Sequence, residues 1–411
     1  MIPPNALPPN ENSVKAPTNR PARMALLSEI FPPKFGGSGR WFWEAYRRFP
    51  AGEVVALVGK TPGDQEFDAQ ATLPIIRGDL ALRDSGTLTP TGLKGYLRNA
   101  RWVLNIRRQQ PFSMLHCGRC ITEGWVGWLL WKWAKIPYLV YVHGEDMNLD
   151  GAQSGDGVMS SRQHRWMAKH ILRRAQRVVA NSENSARLLR DQWFLPAEKV
   201  TVVHPGFDAS RFQTSVPCPE TRVKLGWQDR LVILTVGRLQ KRKGHDHLIA
   251  ALPGLVNRFP NLLYAIVGSG EELTHLQNLV QQHGLQHHVQ FKTNSSDEEL
   301  IRCYQQCDLF VLPNRQIGSD IEGFGMVLVE AQACGKPVIA GDSGGTRETM
   351  SVPETGLIVD CNGGPELANA LAELLADPAR RHRMGQAGSQ FVRERFAWET
   401  VVKKMQTLFA S

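Results

Sequence analysis

From Met24 onward, short apolar runs alternate with longer amphipathic stretches: ALLSEI, VVALVG, YLVYVH, RVVANS and KVTVVH each end in a loop before a helical pattern begins. The same rhythm resumes at LVILTVG, LLYAIVG, DLFVLP, KPVIAG and TGLIVD. Runs this continuous and this rich in Val, Ile and Leu are what parallel strands require when helices cover both faces of a sheet, so the pattern predicts α/β architecture with two sheets. Between the two series lies HPGFDASRFQTSVPCPETRVKLGW, a polar, Pro-containing stretch where the strand rhythm stops. It reads as the connection between two domains, with a cleft beneath it. In open α/β sheets ligands bind at the carboxyl ends of strands, so the loops that follow strands are the ones to inspect.

Length supports two cores, since 411 residues exceed one ordinary domain. With 42% hydrophobic and 21% charged residues the chain is globular, and no apolar run approaches the ~18 residues of a membrane span. Residues 1–23, rich in Pro and Asn and without the charged-then-apolar order of a secretory signal, read as a disordered arm. Seven cysteines spread over the chain favour a reducing compartment, the cytoplasm by default, over a disulfide framework. Charge changes the picture further: residues 1–210 hold 27 Lys and Arg against 18 Asp and Glu, whereas residues 211–411 hold 21 of each. The whole excess of +9 sits in the first half, which suits either an anionic partner, such as a membrane surface or nucleic acid, or simply a solvated basic face.

Candidate chemistry sits at strand ends. LVILTVG leads into Arg238, Lys241, Arg242 and Lys243 just before a helix, where side-chain cations and the unpaired amides of a helix N-terminus together suit a diphosphate; a basic surface loop is the plain alternative. In SDIEGFGMVLVEA, Glu322 precedes a glycine-flanked turn, and Gly323 and Gly325 let backbone amides approach a ligand. Glu330 lies within an apolar helical stretch, so its carboxylate needs a cation or ligand hydroxyls such as those of a ribose, unless it lies on the helix surface. In the first domain, FPPKFGGSGR offers Gly36, Gly37 and Gly39 before a helix beginning near Gly39, and His143 ends the strand YLVYVH facing the same cleft. The single C-x-x-C at Cys117–Cys120 has no second pair, and Trp125, Trp128, Trp131 and Trp133 fall mainly at helical spacing, as core residues do. No strict D-x-D occurs, so no metal site is expected and cations must neutralise any leaving diphosphate.

Taken in order, G-R-L-x-x-x-K-G at Gly237 to Gly244 and E-G-F-G-M-V-L-V-E-A at Glu322 to Ala331 resemble the family-four retaining glycosyltransferases. FPPKFGGSGR, YVHGED, VVANSENSARLL, VVHPGFD, VGSGEEL and KPVIAGDSGGTRETM extend the likeness from Met24 to about Asp360. The motif text looks closest to the bacterial phosphatidylinositol mannosyltransferase-like branch. The resemblance implies the GT-B fold, two Rossmann-like domains facing each other across a cleft: residues 24–205 for the acceptor, completed by a helix at about 396–411, and residues 206–395 for the donor. It implies that Arg238 and Lys243 hold the donor diphosphate, that Glu330 binds the ribose, and that Glu322 with the Phe324 and Gly325 backbone orients the sugar. Gly36 and Gly37 would approach the phosphates and His143 would sit beside the sugar. Where the family shows F-x-G near the base, this chain has Phe291-Lys292-Thr293, which leaves base recognition unassigned.

The activity so implied is metal-independent, retaining transfer of a hexosyl group, mannosyl for preference, from a nucleotide sugar to a lipid-linked or glycan acceptor. It needs no cofactor, and GDP-mannose is favoured over a UDP-sugar as donor. An anionic membrane surface, with the protein peripheral on the inner face of the membrane, is a further expected partner, and nucleic acid is not expected. Two other readings stand beside it: another GT-B chemistry, such as a sugar-nucleotide epimerase or a phosphorolytic enzyme, and a non-catalytic basic binding protein.

Overall fold

The computed structural model describes residues 24–34, 37–82, 87–143, 147–149, 158–318, 320–363 and 365–410. The first sheet contains β1 (Met24–Ser28), β2 (Val54–Gly59), β3 (Ile75–Gly78), β4 (Met114–Cys117), β5 (Tyr138–Val142), β6 (Arg177–Ala180) and β7 (Val200–Val202). All pair in parallel, in the order β3-β2-β1-β4-β5-β6-β7. The second contains β8 (Leu231–Val236), β9 (Leu262–Val267), β10 (Val289–Lys292), β11 (Leu309–Leu312), β12 (Val338–Gly341) and β13 (Gly356–Val359), in the order β10-β9-β8-β11-β12-β13. Each sheet reverses its winding beside its first strand, between β1 and β4 and between β8 and β11, and such switch points open a crevice at the strand carboxyl ends.

The strands fill their sheets as the apolar runs require. Every residue of β1, β2, β5 and β9 is buried, and helices cover both faces. Strands β3, β4 and β10 lie outside the apolar runs of the sequence; each is four residues long and carries polar positions such as Arg77, His116 and Gln290, too short for a periodic signal. His116 is nonetheless fully buried, its Nδ1 2.6 Å from Tyr46 Oη, and burial lowers its pKa to about 3. Cys117 and Cys120 are both free thiols.

The connecting stretch is more ordered than its composition suggests. It includes the helix Pro219–Leu225, opened by a proline where the missing N–H costs nothing. The chain returns at its other end: Phe207 N–H donates to Phe396 O at 2.9 Å and Trp398 N–H to Phe207 O at 3.3 Å. Beyond this paired crossing, the helix Trp398–Ala410 places Trp398, Val401, Val402 and Met405 in the same core as Phe42 and Tyr46 of the first domain. The tryptophan stripe on the helix Thr122–Ala134 is only partly core. Trp125 is 4% exposed and stacks on Trp128 at 4.4 Å, whereas Trp133 is 49% exposed.

Candidate functional site

Between the two sheets lies a cleft of about 640 Å³, lined from the first domain by Gly37, Arg40, Glu44, Arg119 and His143 and from the second by Arg238, Arg242, Lys243 and Glu322 to Val327, with Glu330 deeper in. The connecting segment Pro205–Asp208 lines it as well. Eight of the sequence-derived candidates line one cavity, Gly37, His143, Arg238, Lys243, Glu322, Phe324, Gly325 and Glu330, whereas Lys241 and Gly39 do not. Gly36 lies outside the described residues.

The second-domain wall starts at β8. Past Arg238 the chain makes a single 3₁₀ turn, Lys241–Lys243, before the helix His245–Arg258. That turn decides which cations face inward: Lys241 is exposed, while Arg242 and Lys243 are buried at 7% and 8%. Arg315 fastens the turn, donating its N–H to Arg242 O at 2.8 Å while its guanidinium grips Asp246 with two bonds of 2.8 Å. Both buried cations converge on Glu322 Oε2, Lys243 Nζ at 2.5 Å and Arg242 Nη1 at 2.7 Å, and Arg242 Nε also meets Asp320 at 3.0 Å. Burial pushes the Glu322 carboxyl upward, but Lys243 and Arg242 outweigh it and hold it below the ordinary carboxylate range. Burial raises Asp320 despite Arg242. Arg238 is exposed into the cleft; its carbonyl accepts from Gln240 N–H at 3.0 Å, and its side chain makes no hydrogen bond or ion pair among the described residues. The roles of Arg242 and Asp320 are not carried by the motif text; three consecutive basic residues conceal which of them turns inward.

After Glu322, Gly325 takes a φ of 97°, a left-handed value that a side chain would strain, and so starts the helix Met326–Ala333 with its first amides toward the cleft. Phe324 turns its ring away into the core at 3% exposure, stacked 5.1 Å from His204, which leaves only its backbone for a ligand. Glu330, one helical turn and more beyond, accepts a hydrogen bond from Tyr304 Oη at 2.7 Å. Burial raises Glu330 to about 6, against the lowering effect of that hydrogen bond and of Arg40 and Arg211. Nearby, Asp297 draws Arg211 to 2.9 Å and Arg40 to 3.8 Å, a contact that crosses the cleft.

The first-domain wall is more mixed. The helix Gly37–Tyr46 begins two residues before the expected Gly39, and its first turn lines the cleft. Arg119 is held by Glu29 at 2.7 Å and by Glu123 at 3.2 Å, and Glu44 is engaged by Arg47 and Arg48. His143 lies with its ring 6.3 Å from Phe42. Among the described residues no group of three or more His, Cys, Asp or Glu is placed to hold a metal ion.

Two parallel-sheet domains with a cation-lined cleft at their switch points make up the GT-B architecture, which hosts more than one chemistry. The chain belongs to the glycosyltransferases: residues 35–211 match Glycosyltransferase Family 4 and residues 219–391 match Glycosyl transferases group 1. It is 36% identical to the GDP-mannose-dependent alpha-(1-6)-phosphatidylinositol monomannoside mannosyltransferase of Mycolicibacterium smegmatis, over 92% of this chain and 95% of that one. Its counterpart in Mycobacterium tuberculosis is also 36% identical, over 93% and 97%. Among solved structures, HepE of Anabaena in complex with UDP superposes with a TM-score of 0.77 at 20% identity, covering 94% of this chain and 99% of that one. Sucrose-phosphate synthase of Thermosynechococcus elongatus gives 0.75 at 25% identity, covering 95% and 98%.

Proposed function

We propose that the protein is a retaining, metal-independent mannosyltransferase that uses GDP-mannose and acts on a lipid-linked or glycan acceptor. The observation that carries this reading is the convergence of Arg242 and Lys243 on Glu322 beside the exposed Arg238, at the mouth of a helix whose first amides face the cleft. A lysine ammonium has three donors, so Lys243 can keep its bond to Glu322 while turning the others to a diphosphate. Arg238 adds a cation whose side chain makes no hydrogen bond or ion pair among the described residues. As the glycosidic C–O bond breaks, charge grows on the leaving phosphate oxygen, and these fixed cations stabilise it without the need for a divalent ion. The departing oxygen takes the acceptor hydroxyl's proton on the same face, which preserves the anomeric configuration and requires no protein nucleophile. Glu322 and the Phe324–Gly325 backbone orient the sugar beside His143, Gly37 approaches the phosphates, and Glu330 accepts from the ribose hydroxyls. Mannose and guanine are supported by the names of the two mycobacterial relatives.

Incubation with GDP-mannose and an acceptor extract in the presence of EDTA tests this reading. The expected product keeps the α configuration at its new anomeric centre by proton NMR, at an undiminished rate. Inversion, or loss of activity restored by magnesium or manganese, contradicts it.

A lipid-linked acceptor is favoured by one face of the first domain. The helices Pro90–Gln109, Thr122–Ala134 and Arg162–Arg174 together carry eleven Lys and Arg, and their single carboxylate, Glu123, is buried. Trp133 and Trp166 stand 49% exposed among these cations, the amphipathic aromatic and basic mixture that settles at an anionic bilayer surface. No helix among the described residues is long and apolar enough to cross a membrane, so attachment would be peripheral, on the cytoplasmic face.

A further inference from the structure

The turn that follows β12 touches three parts of the molecule at once. It runs through Gly344 and Gly345 into the 3₁₀ segment Thr346–Thr349, pinned by Thr346 Oγ1 donating to Gly341 O at 2.7 Å. Gly344 has a φ of 63°, and a Cβ there would stand 1.8 Å from Glu322 O; Gly345 N–H donates to the same carbonyl at 2.9 Å. The turn is thus bonded to the main chain of the donor loop. From its other side Glu348 reaches into the first domain, where its two carboxylate oxygens accept from Glu183 N–H at 2.6 Å and Asn184 N–H at 2.8 Å. These are the first two amides of the helix Glu183–Asp191, whose donors have no partner within the helix. His204 of the connecting segment donates to Glu348 Oε2 at 2.9 Å, and its ring stacks on Phe324 in the donor loop.

We propose that Glu348 is a positioning residue that couples closure of the two domains to the placement of Glu322 and the Phe324–Gly325 backbone. The inference rests on the donor reading above. When the first domain's helix docks on the Glu348 carboxylate, the turn and His204 hold the donor loop from behind; when it swings away, Glu348 loses two charge-assisted bonds and the loop loses its brace. The nucleotide diphosphate, bound by the second domain, is held in both arrangements, whereas transfer proceeds in one.

The decisive variant lies in the other domain, at a residue that does not itself line the cleft. Glu183→Pro deletes one of the two amides that Glu348 accepts, at the first helical position, where proline is tolerated, and Ser182 before it already has the extended φ of −157° and ψ of 160° that a following proline favours. Glu183→Ala keeps the amide and serves as its control. Glu348→Gln makes the matching change on the donor side. Steady-state kinetics with GDP-mannose, calorimetric titration with GDP, and the radius of gyration from small-angle scattering are measured on each. The expected result is that Glu183→Pro and Glu348→Gln lower kcat by about tenfold or more and enlarge the radius of gyration, while the Kd for GDP moves less than about threefold and Glu183→Ala matches the parent. Unchanged kcat and radius in both variants overturn the proposal. A fall in GDP affinity parallel to kcat also overturns it, by placing Glu348 in the donor pocket itself. If the parent protein fails to bind GDP, the donor reading fails, and the radius of gyration still decides whether Glu348 holds the domains together.

Discussion

The two walls of the cleft are built on the same α/β plan but organise charge in opposite ways. On the donor side, two cations and a carboxylate from segments some eighty residues apart are buried together and exposed to the cleft along one edge, with Arg238 beside them. On the first-domain side, Arg119 is tied to the local carboxylates Glu29 and Glu123, Arg40 reaches across the cleft to Asp297, and eleven Lys and Arg lie on three outer helices. The contrast fits the two proposed tasks: a fixed, highly charged leaving group calls for buried and preorganised cations, whereas docking to an extended anionic surface calls for exposed and numerous ones.

Substitutions on the donor wall should show the largest effect and should divide by burial. Arg238→Ala removes an exposed cation whose side chain makes no hydrogen bond or ion pair among the described residues, so turnover should fall by about a hundredfold or more while the unfolding free energy changes by less than about 0.5 kcal/mol. Arg242→Ala removes a buried cation from Glu322 and Asp320, so it should lower turnover and also cost about 2–3 kcal/mol of stability in denaturant unfolding. Equal stability losses in the two variants would erase the distinction.

Glu330 offers a smaller and pH-dependent effect. An unfolded glutamate ionises near 4.5 and this one near 6, so between those values the folded state holds the extra proton. Its contribution to stability is fully present below about 4.5 and is lost as pH rises through about 6. Donor binding should run the other way, strengthening as the carboxylate forms and accepts from the ribose more strongly. Glu330→Gln should flatten both profiles and weaken nucleotide binding by about tenfold at pH 7.5, measured by calorimetry across pH 5 to 8. Unchanged affinity would assign Glu330 to packing alone, through Tyr304.

On the outer face, the expected effect is the smallest per residue. Each cation near an anionic bilayer contributes about 1 kcal/mol, so reversing Arg101 and Arg173 together should weaken co-sedimentation with anionic vesicles by at least about tenfold, with salt giving the same release. Trp133→Ala and Trp166→Ala should each weaken it several-fold at high salt, where the apolar contribution persists. Equal binding to neutral vesicles, or to none, would leave the acceptor wall serving a soluble glycan.

The same contrast explains what the sequence disclosed. The donor wall was legible because its residues fall in two short segments, Gly237–Gly244 and Glu322–Ala331, each attached to a strand end that the apolar runs located. Its internal partners were not: Arg242 faces inward only because of one 3₁₀ turn, and Glu330 meets Tyr304 from a separate helix. The first-domain wall gave only His143 and the glycines around the start of the helix Gly37–Tyr46, because Arg119 and its carboxylates come together only through the packing of β1 against β4 and the helix that follows. The basic excess of residues 1–210 was visible as a count, yet its concentration on three helices is a property of the fold. Glu348 and His204 lie 144 residues apart, beyond the reach of any local pattern.

The claim on which the account turns is that the buried cations of the second domain hold a nucleotide diphosphate. Thermal unfolding of the parent protein with GDP and with UDP, repeated for Lys243→Ala, measures it directly, since a ligand bound only by the native state stabilises by about 2.7 kcal/mol at a hundred times its Kd. The account predicts clear stabilisation of the parent, stronger with GDP than with UDP and greatly reduced in Lys243→Ala. Equal stabilisation of parent and variant, or none by either nucleotide, would contradict it.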